Sequence, residues 1–363
     1  MELPRADYTN QSFIAYLKEH GEDVAPPDPR HRWLKIYVVL SNGADWADKL
    51  FSEEEVAQLG DIKEIRIRSG ENRRLDRDEN YYVMEYSEGL LLFFTTAIKE
   101  QYERTLGERL KRTRGITPLW LAPGLFDRQW KFLLRQTDGI IHRFMSRRVS
   151  MDELTNVLRP DIQRRFNYTG NDGTQVLEEL RERYGVFPQS IYINVNPELT
   201  IHLTNEGLFS AKILSRQALE MFFGMLDLVR EEVVGLKDAS QQLSFKIETV
   251  SAETTGPVRI ASVKSGLIRL PQPQLDSEAI SRLKMEISKK GQFSLIDEQL
   301  VAGSLGYSAT VVDERKGSVF NISLSENQIL LVPKYNYTFE SFISFYRTVA
   351  EVADTQATFA LYE

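Results

Sequence analysis

The chain contains no cysteine, which excludes disulfides, thiolate nucleophiles and cysteine-ligated zinc at once. Histidine is nearly as scarce: His20, His31, His142 and His202 are the four present. No two of them stand at metal-ligand spacing, so a shared histidine site is not expected. No apolar run approaches the roughly 18 residues that a spanning helix requires, and the chain begins with the polar stretch Glu2 to Asp7. These features predict a cytoplasmic protein with no membrane contact. A glycine-rich phosphate loop, a Gly-x-Ser-x-Gly elbow and the kinase signatures are all missing, so neither a catalytic residue nor a cofactor is assigned.

What is present is an ordinary globular composition, with 42% hydrophobic and 27% charged residues in 363, enough for two or three domains. The clearest stretch runs from Ile191 to Val234. Ile191, Ile193 and Val195 alternate with polar neighbours, as do Leu199, Ile201 and Leu203 beyond Asn196-Pro197-Glu198, which is the period of two paired, half-buried strands. From Gln217 to Val233 the apolar residues Leu219, Phe222, Phe223, Leu226, Val229 and Val233 take up helical spacing. The same strand-turn-strand-helix order recurs at 81–113 and 319–354. Little residue identity links the copies, so the repetition is architectural.

Taken in order, residues 1–30 read as a short helical arm with a proline-rich linker at Ala25 to Pro29. Residues 31–115 form a first module, with strands at 34–40 and 62–67 and a helix from Glu53 to Leu59 capped by Ser52. Residues 116–235 form a second, 236–274 a β-rich connector in which helical periodicity ends, and 275–363 a third, with Ser277 capping its first helix. The predicted class is α+β: several modules of small antiparallel sheets, each backed by helices.

The strongest signal for function is electrostatic. The formal charge is −7, yet residues 99–165 hold 15 Lys and Arg against 8 Asp and Glu. Arg128, Lys131 and Arg135 share one face of a predicted helix, and Arg143 and Arg147 one face of a predicted strand; Arg148, Arg164 and Arg165 follow. Such a surface suits a phosphate backbone, which guanidinium groups grip bidentately. Part of the charge is matched locally, since Glu100 precedes Arg104 and Glu108 precedes Arg112 at helical i, i+4 spacing. The expectation is a non-catalytic binding or accessory protein engaging nucleic acid through these eight residues. A protein–protein scaffold is the first alternative. A metal-dependent nuclease or phosphoesterase built on Asp297 and Glu314 is the second, against which the cluster from Asp313 to Gly317 reads as a turn.

Overall fold

A computed structural model describes residues 2–21, 33–68, 78–148, 164–212, 215–252, 256–271, 277–289, 291–301, 306–325, 327–354 and 356–362. Ser150, whose side chain suits the cap of a helix, lies outside them, as do the Ala25–Pro29 linker and most of the charged stretch from Arg68 to Asn80, whose composition suits an exposed loop. The chain divides into two compact units, the first running through Arg148 and again to Val234, the second including everything from Gly235 onward.

The first unit opens with helix α1 (Asn10–His20), followed by β1 (Leu34–Ser41), α2 (Trp46–Leu50), β2 (Val56–Leu59), β3 (Ile62–Arg68), β4 (Asp78–Ser87) and β5 (Leu90–Thr95). Then come α3 (Lys99–Arg104), α4 (Leu106–Arg112), β6 (Ile116–Pro118), α5 (Pro123–Thr137), β7 (Ile140–Arg148) and β8 (Arg165–Thr169). The series closes with α6 (Gly173–Tyr184), β9 (Val186–Asn194), β10 (Thr200–Thr204), β11 (Leu208–Ala211) and α7 (Arg216–Gln242). The strands make one eleven-stranded antiparallel sheet in the order β2-β3-β4-β5-β1-β11-β10-β9-β7-β8, with β6 also on β1.

Alternation along each strand sorts side chains between two faces. On one, Ile36 lies opposite Phe94 and Phe209. Phe13 of α1 meets Phe94 edge-on at 5.2 Å, and Phe222 of α7 meets Phe209 at 5.0 Å. Helix α5 lies beside α7, where Gln129 donates to the Met225 carbonyl. On the other face, Tyr37, Val39 and Phe93 are buried with Trp46, Leu50, Leu106 and Leu110 of α2 and α4. Helices therefore cover both faces around β1 and β5, which is why β5 is buried at every position and reads as a continuous apolar run.

Three expectations are corrected here. The boundary at 115/116 falls inside a continuous sheet, because β1 uses one backbone edge for β5 and the other for β11 and β6. Helix α1 is no loose arm, since Phe13 and Leu17 are fully buried and Tyr8 exchanges backbone hydrogen bonds with Leu59 and Asp61. Ser52 and Glu55 do form the capping interaction, but only one 3-10 turn follows before Val56 enters β2 and pairs with Ile65. Glu55 instead takes both guanidinium nitrogens of Arg109, at 2.8 and 2.6 Å, and this holds its carboxyl down at about 2. Arg109 also donates to the Leu50 carbonyl at 2.9 Å. Replacing Arg109 with alanine should therefore cost about 1–2 kcal/mol in urea unfolding, more than an exposed ion pair usually contributes.

In the second unit β12 (Ser244–Ala252) and β13 (Gly256–Arg269) form a ribbon, followed by α8 (Ser277–Lys289), β14 (Phe293–Val301) and β15 (Gly306–Asp313). The chain finishes with β16 (Ser318–Ser325), β17 (Gln328–Pro333), α9 (Phe339–Val352) and β18 (Thr358–Tyr362). Their sheet runs β12-β13-β17-β16-β15-β14, with β18 also on β13. Phe345 of α9 packs on Phe320 and Phe293 at 5.2 and 6.0 Å. The expected connector 236–274 is thus not separate, because β13 pairs with β17 and β18, and helical structure persists to Gln242. The α+β class with antiparallel sheets holds, in two larger sheets where small ones were expected.

Candidate nucleic-acid interface

Directly paired residues of antiparallel strands project from the same side of a sheet. Following the register from the edge inward, Thr169 of β8 lies opposite Arg143 of β7, Arg143 opposite Tyr192 of β9, and Tyr192 opposite His202 of β10. The row continues through Ser210 of β11 and Lys35 of β1 to Thr95 of β5. Seven residues from seven strands thus share one line on the face opposite Ile36. At the usual strand spacing the row is about 29 Å long.

Its members are in contact. The Arg143 guanidinium lies 5.3 Å from the Tyr192 ring, and the His202 imidazole stacks on that ring at 4.0 Å. His142 and Trp33 approach the same ring edge-on at 5.9 and 6.5 Å. His202 is held between two hydroxyls, Ser190 Oγ at 2.9 Å from Nε2 and Ser210 Oγ at 3.3 Å from Nδ1. Burial pushes its pKa down to about 4, with Arg143 and Lys35 adding to the effect, so it is neutral at pH 7. Burial also lowers Lys35 to about 8, opposed by the charge of Glu79.

Toward the edge of the sheet this face is open. Arg165, Asn167, Thr169 and Arg143 are exposed, and Met145, Arg147, Ser190 and Tyr192 are half-buried. Arg147 lies directly opposite Arg165, which places two like charges side by side. Across all of β7, β8, β9, β10 and β11 there is no aspartate or glutamate, while Arg143, Arg147, Arg148 and Arg165 are present. Acidic residues of this region stand on the helices that cover the other side, among them Asp127, Glu178, Glu179, Glu182 and Glu232, and in the turns, where Asp138, Asp172, Glu198 and Glu206 lie. The charged side chains that the five strands themselves carry are therefore all cationic.

The eight arginines and lysines expected to form one surface are split by that sheet. Arg143, Arg147 and Arg165 occupy the open face. Arg128, Lys131 and Arg135 lie on α5, on the far side, because Phe126, Trp130 and Leu133 turn that helix against the Ile36 face. There Arg128 is paired with Glu232 of α7 at 2.5 Å, and the Lys131 ammonium sits 5.3 Å from the Trp130 ring. Arg148 alternates inward and is buried, its backbone N–H donating to the Arg164 carbonyl. Arg164 stacks on Tyr184 of α6 at 4.7 Å. Tyr192, His202 and Lys35 were missed because only cross-strand register brings them into one row with Arg143. His142 and His202 both contact the Tyr192 ring, the first edge-on and the second stacked.

Asp297 and Glu314, the candidate metal ligands, do not converge. Asp297 sits in a bulge midway along β14 with φ of 53°, whereas the turn carrying Glu314 begins at Asp313, opposite Phe293 at the start of that strand. Asp313 itself is fully buried and accepts from the Arg315 and Lys316 amides and the Ser341 hydroxyl, as a turn requires. Among the described residues, no three acidic or histidine side chains group to hold a metal, and no helix is long and apolar enough to cross a membrane.

Comparison with known proteins finds a family model that matches part of this same region. A family model described as the AF_0896_M family middle domain matches residues 133–206, which include β7, β8, β9 and β10. A protein of Archaeoglobus fulgidus described as uncharacterized is 27% identical over 145 residues, 39% of this chain and 39% of its own length. The match thus spans about two fifths of that relative. No solved structure matches.

Proposed function

We propose that this protein is a non-catalytic nucleic-acid-binding protein whose contact surface is the open face carrying Arg143, Arg147 and Arg165. The observation that carries the reading is the absence of any carboxylate from the five strands that bear these arginines. Cations distributed over a surface free of intervening acids set up the positive potential that attracts a phosphate backbone. The stack of Arg143 on Tyr192 and Tyr192 on His202 holds the first guanidinium in place, which lowers the entropy lost on binding. A second reading, a protein–protein scaffold, rests on the second unit, where Ile247 and Val263 of the β12–β13 ribbon and Leu300 of β14 are exposed apolar side chains.

The first reading is tested by titrating the purified protein with labelled oligonucleotides at two salt concentrations. Three phosphate contacts predict an affinity about 20-fold weaker at 200 mM than at 50 mM salt. The Arg128→Ala, Lys131→Ala, Arg135→Ala variant should bind within about twofold of the parent, since these side chains lie behind the sheet. Absence of binding at low salt overturns the proposal and leaves the scaffold reading.

A further inference from the structure

We infer that the nucleic acid held on this face is single-stranded, its phosphates on Arg143, Arg147 and Arg165 and its bases against the neutral residues between and beside them. The inference rests on the nucleic-acid reading above and adds the form of the ligand.

The first observation concerns shape. Duplex DNA is read by an element that enters a groove, usually a helix or a projecting two-stranded ribbon. Here the cations lie on the surface of a wide sheet, on strands β7 and β8 at its edge. Arg143 and Arg147 are four residues apart on one strand, about 13 Å, and Arg165 extends that line onto the neighbouring strand. A sheet surface that enters neither groove meets a duplex along its phosphates, whereas a single strand can lay both its backbone and its unpaired bases against it.

The second observation is what lies among the arginines. Ile140 pairs directly with Asn194, on the same face as Tyr192. It is 49% exposed, the more exposed of the two large apolar side chains left to solvent among the described residues of the first unit, the other being Leu228 at 37%. Met145 stands half-buried between Arg143 and Arg147, and Asn167, Thr169 and Asn194 present exposed amide and hydroxyl groups. An apolar contact flanked by neutral donors and acceptors suits the face and edge of an unpaired base. A phosphate-only surface has no use for it. Tyr192 does not serve as the stacking platform, because Arg143 and His202 already occupy its ring; its part is to position Arg143.

The test compares a labelled 20-nucleotide single strand with the duplex of the same sequence by anisotropy at 50 mM salt, on the parent, on Ile140→Ser and on Arg143→Ala, Arg147→Ala, Arg165→Ala. The single strand should bind at least tenfold more tightly than the duplex. Ile140→Ser, an exposed change that leaves the fold intact by circular dichroism, should weaken single-strand binding about fivefold and leave duplex binding unchanged. Equal affinity for the two forms, both lost in the arginine variant, overturns the single-strand inference while the nucleic-acid reading stands. Failure to bind either form overturns both.

Discussion

Replacing Arg143, Arg147 and Arg165 together with alanine is expected to weaken oligonucleotide binding about 100-fold at 50 mM salt. Each lost charge-assisted contact contributes roughly 1 kcal/mol or more, and about 3 kcal/mol is somewhat over two decades in affinity. The dependence of log affinity on log salt should also flatten by about 2, because three phosphates on a single strand no longer release counterions. Folding should survive. Arg143 and Arg165 project from the open face, and separating the directly opposed Arg147 and Arg165 removes a like-charge contact. Unfolding in urea should therefore show a stability equal to or above the parent's, so that lost binding cannot be ascribed to lost structure. An affinity within threefold of the parent would sink the assignment of the contact surface to these strands.

The second large effect is on stability in acid. His202 is neutral in the folded chain, with its pKa at about 4, and in the unfolded chain it returns to the ordinary value of 6.5. Between those values the unfolded state binds the additional proton, so stability rises with pH through this window and falls as the pH drops through it. At pH 4.5 the loss relative to pH 7.5 should be roughly 2–3 kcal/mol from this group alone. The first cause is burial, which penalises the charged ring; Arg143 and Lys35 add to it, because they flank the imidazole along the row and an imidazolium there would join two cations. Glu55 acts with the same sign at lower pH, because its depressed carboxyl loses its pairing with Arg109 only as the pH falls from about 4.5 toward 2. The check is urea unfolding at pH 7.5 and 4.5 on the parent and on His202→Gln. The glutamine variant should lose distinctly less stability over that interval, and identical losses would show that His202 carries no such penalty.

Much of the local structure was legible before any tertiary information. The alternation of Ile191, Ile193, Ile201 and Leu203 does mark the β9–β10 hairpin, in which Ile201 pairs with Ile193 and Leu203 with Ile191. The helical stripe from Leu219 to Val233 does mark α7, and Asp313 to Gly317 does close a turn. The α+β class follows from these periodicities, since period two and period 3.6 demand different partners for their apolar faces. Boundaries failed where a local preference met a stronger distant one. Ser52 and Glu55 begin a helix as their chemistry dictates, yet Val56 leaves it because a free edge of β3 offers backbone hydrogen bonds.

The candidate surface divides in the same way. Sequence by itself determined that charge is unevenly distributed, that Arg143 and Arg147 share a face of one strand, and that cysteine chemistry is closed to this chain. Those are properties of residue type and of short-range spacing. Only the tertiary structure decided that Arg128, Lys131 and Arg135 stand behind the sheet from Arg143, and that Tyr192, His202 and Lys35 stand in line with it. The physical reason is that a sheet has two sides. Which side a helix covers, and which residue of a distant strand lies opposite a given arginine, is set by the burial of Phe126, Trp130 and Phe209 and by the pairing of strands as distant as Leu34 and Ala211.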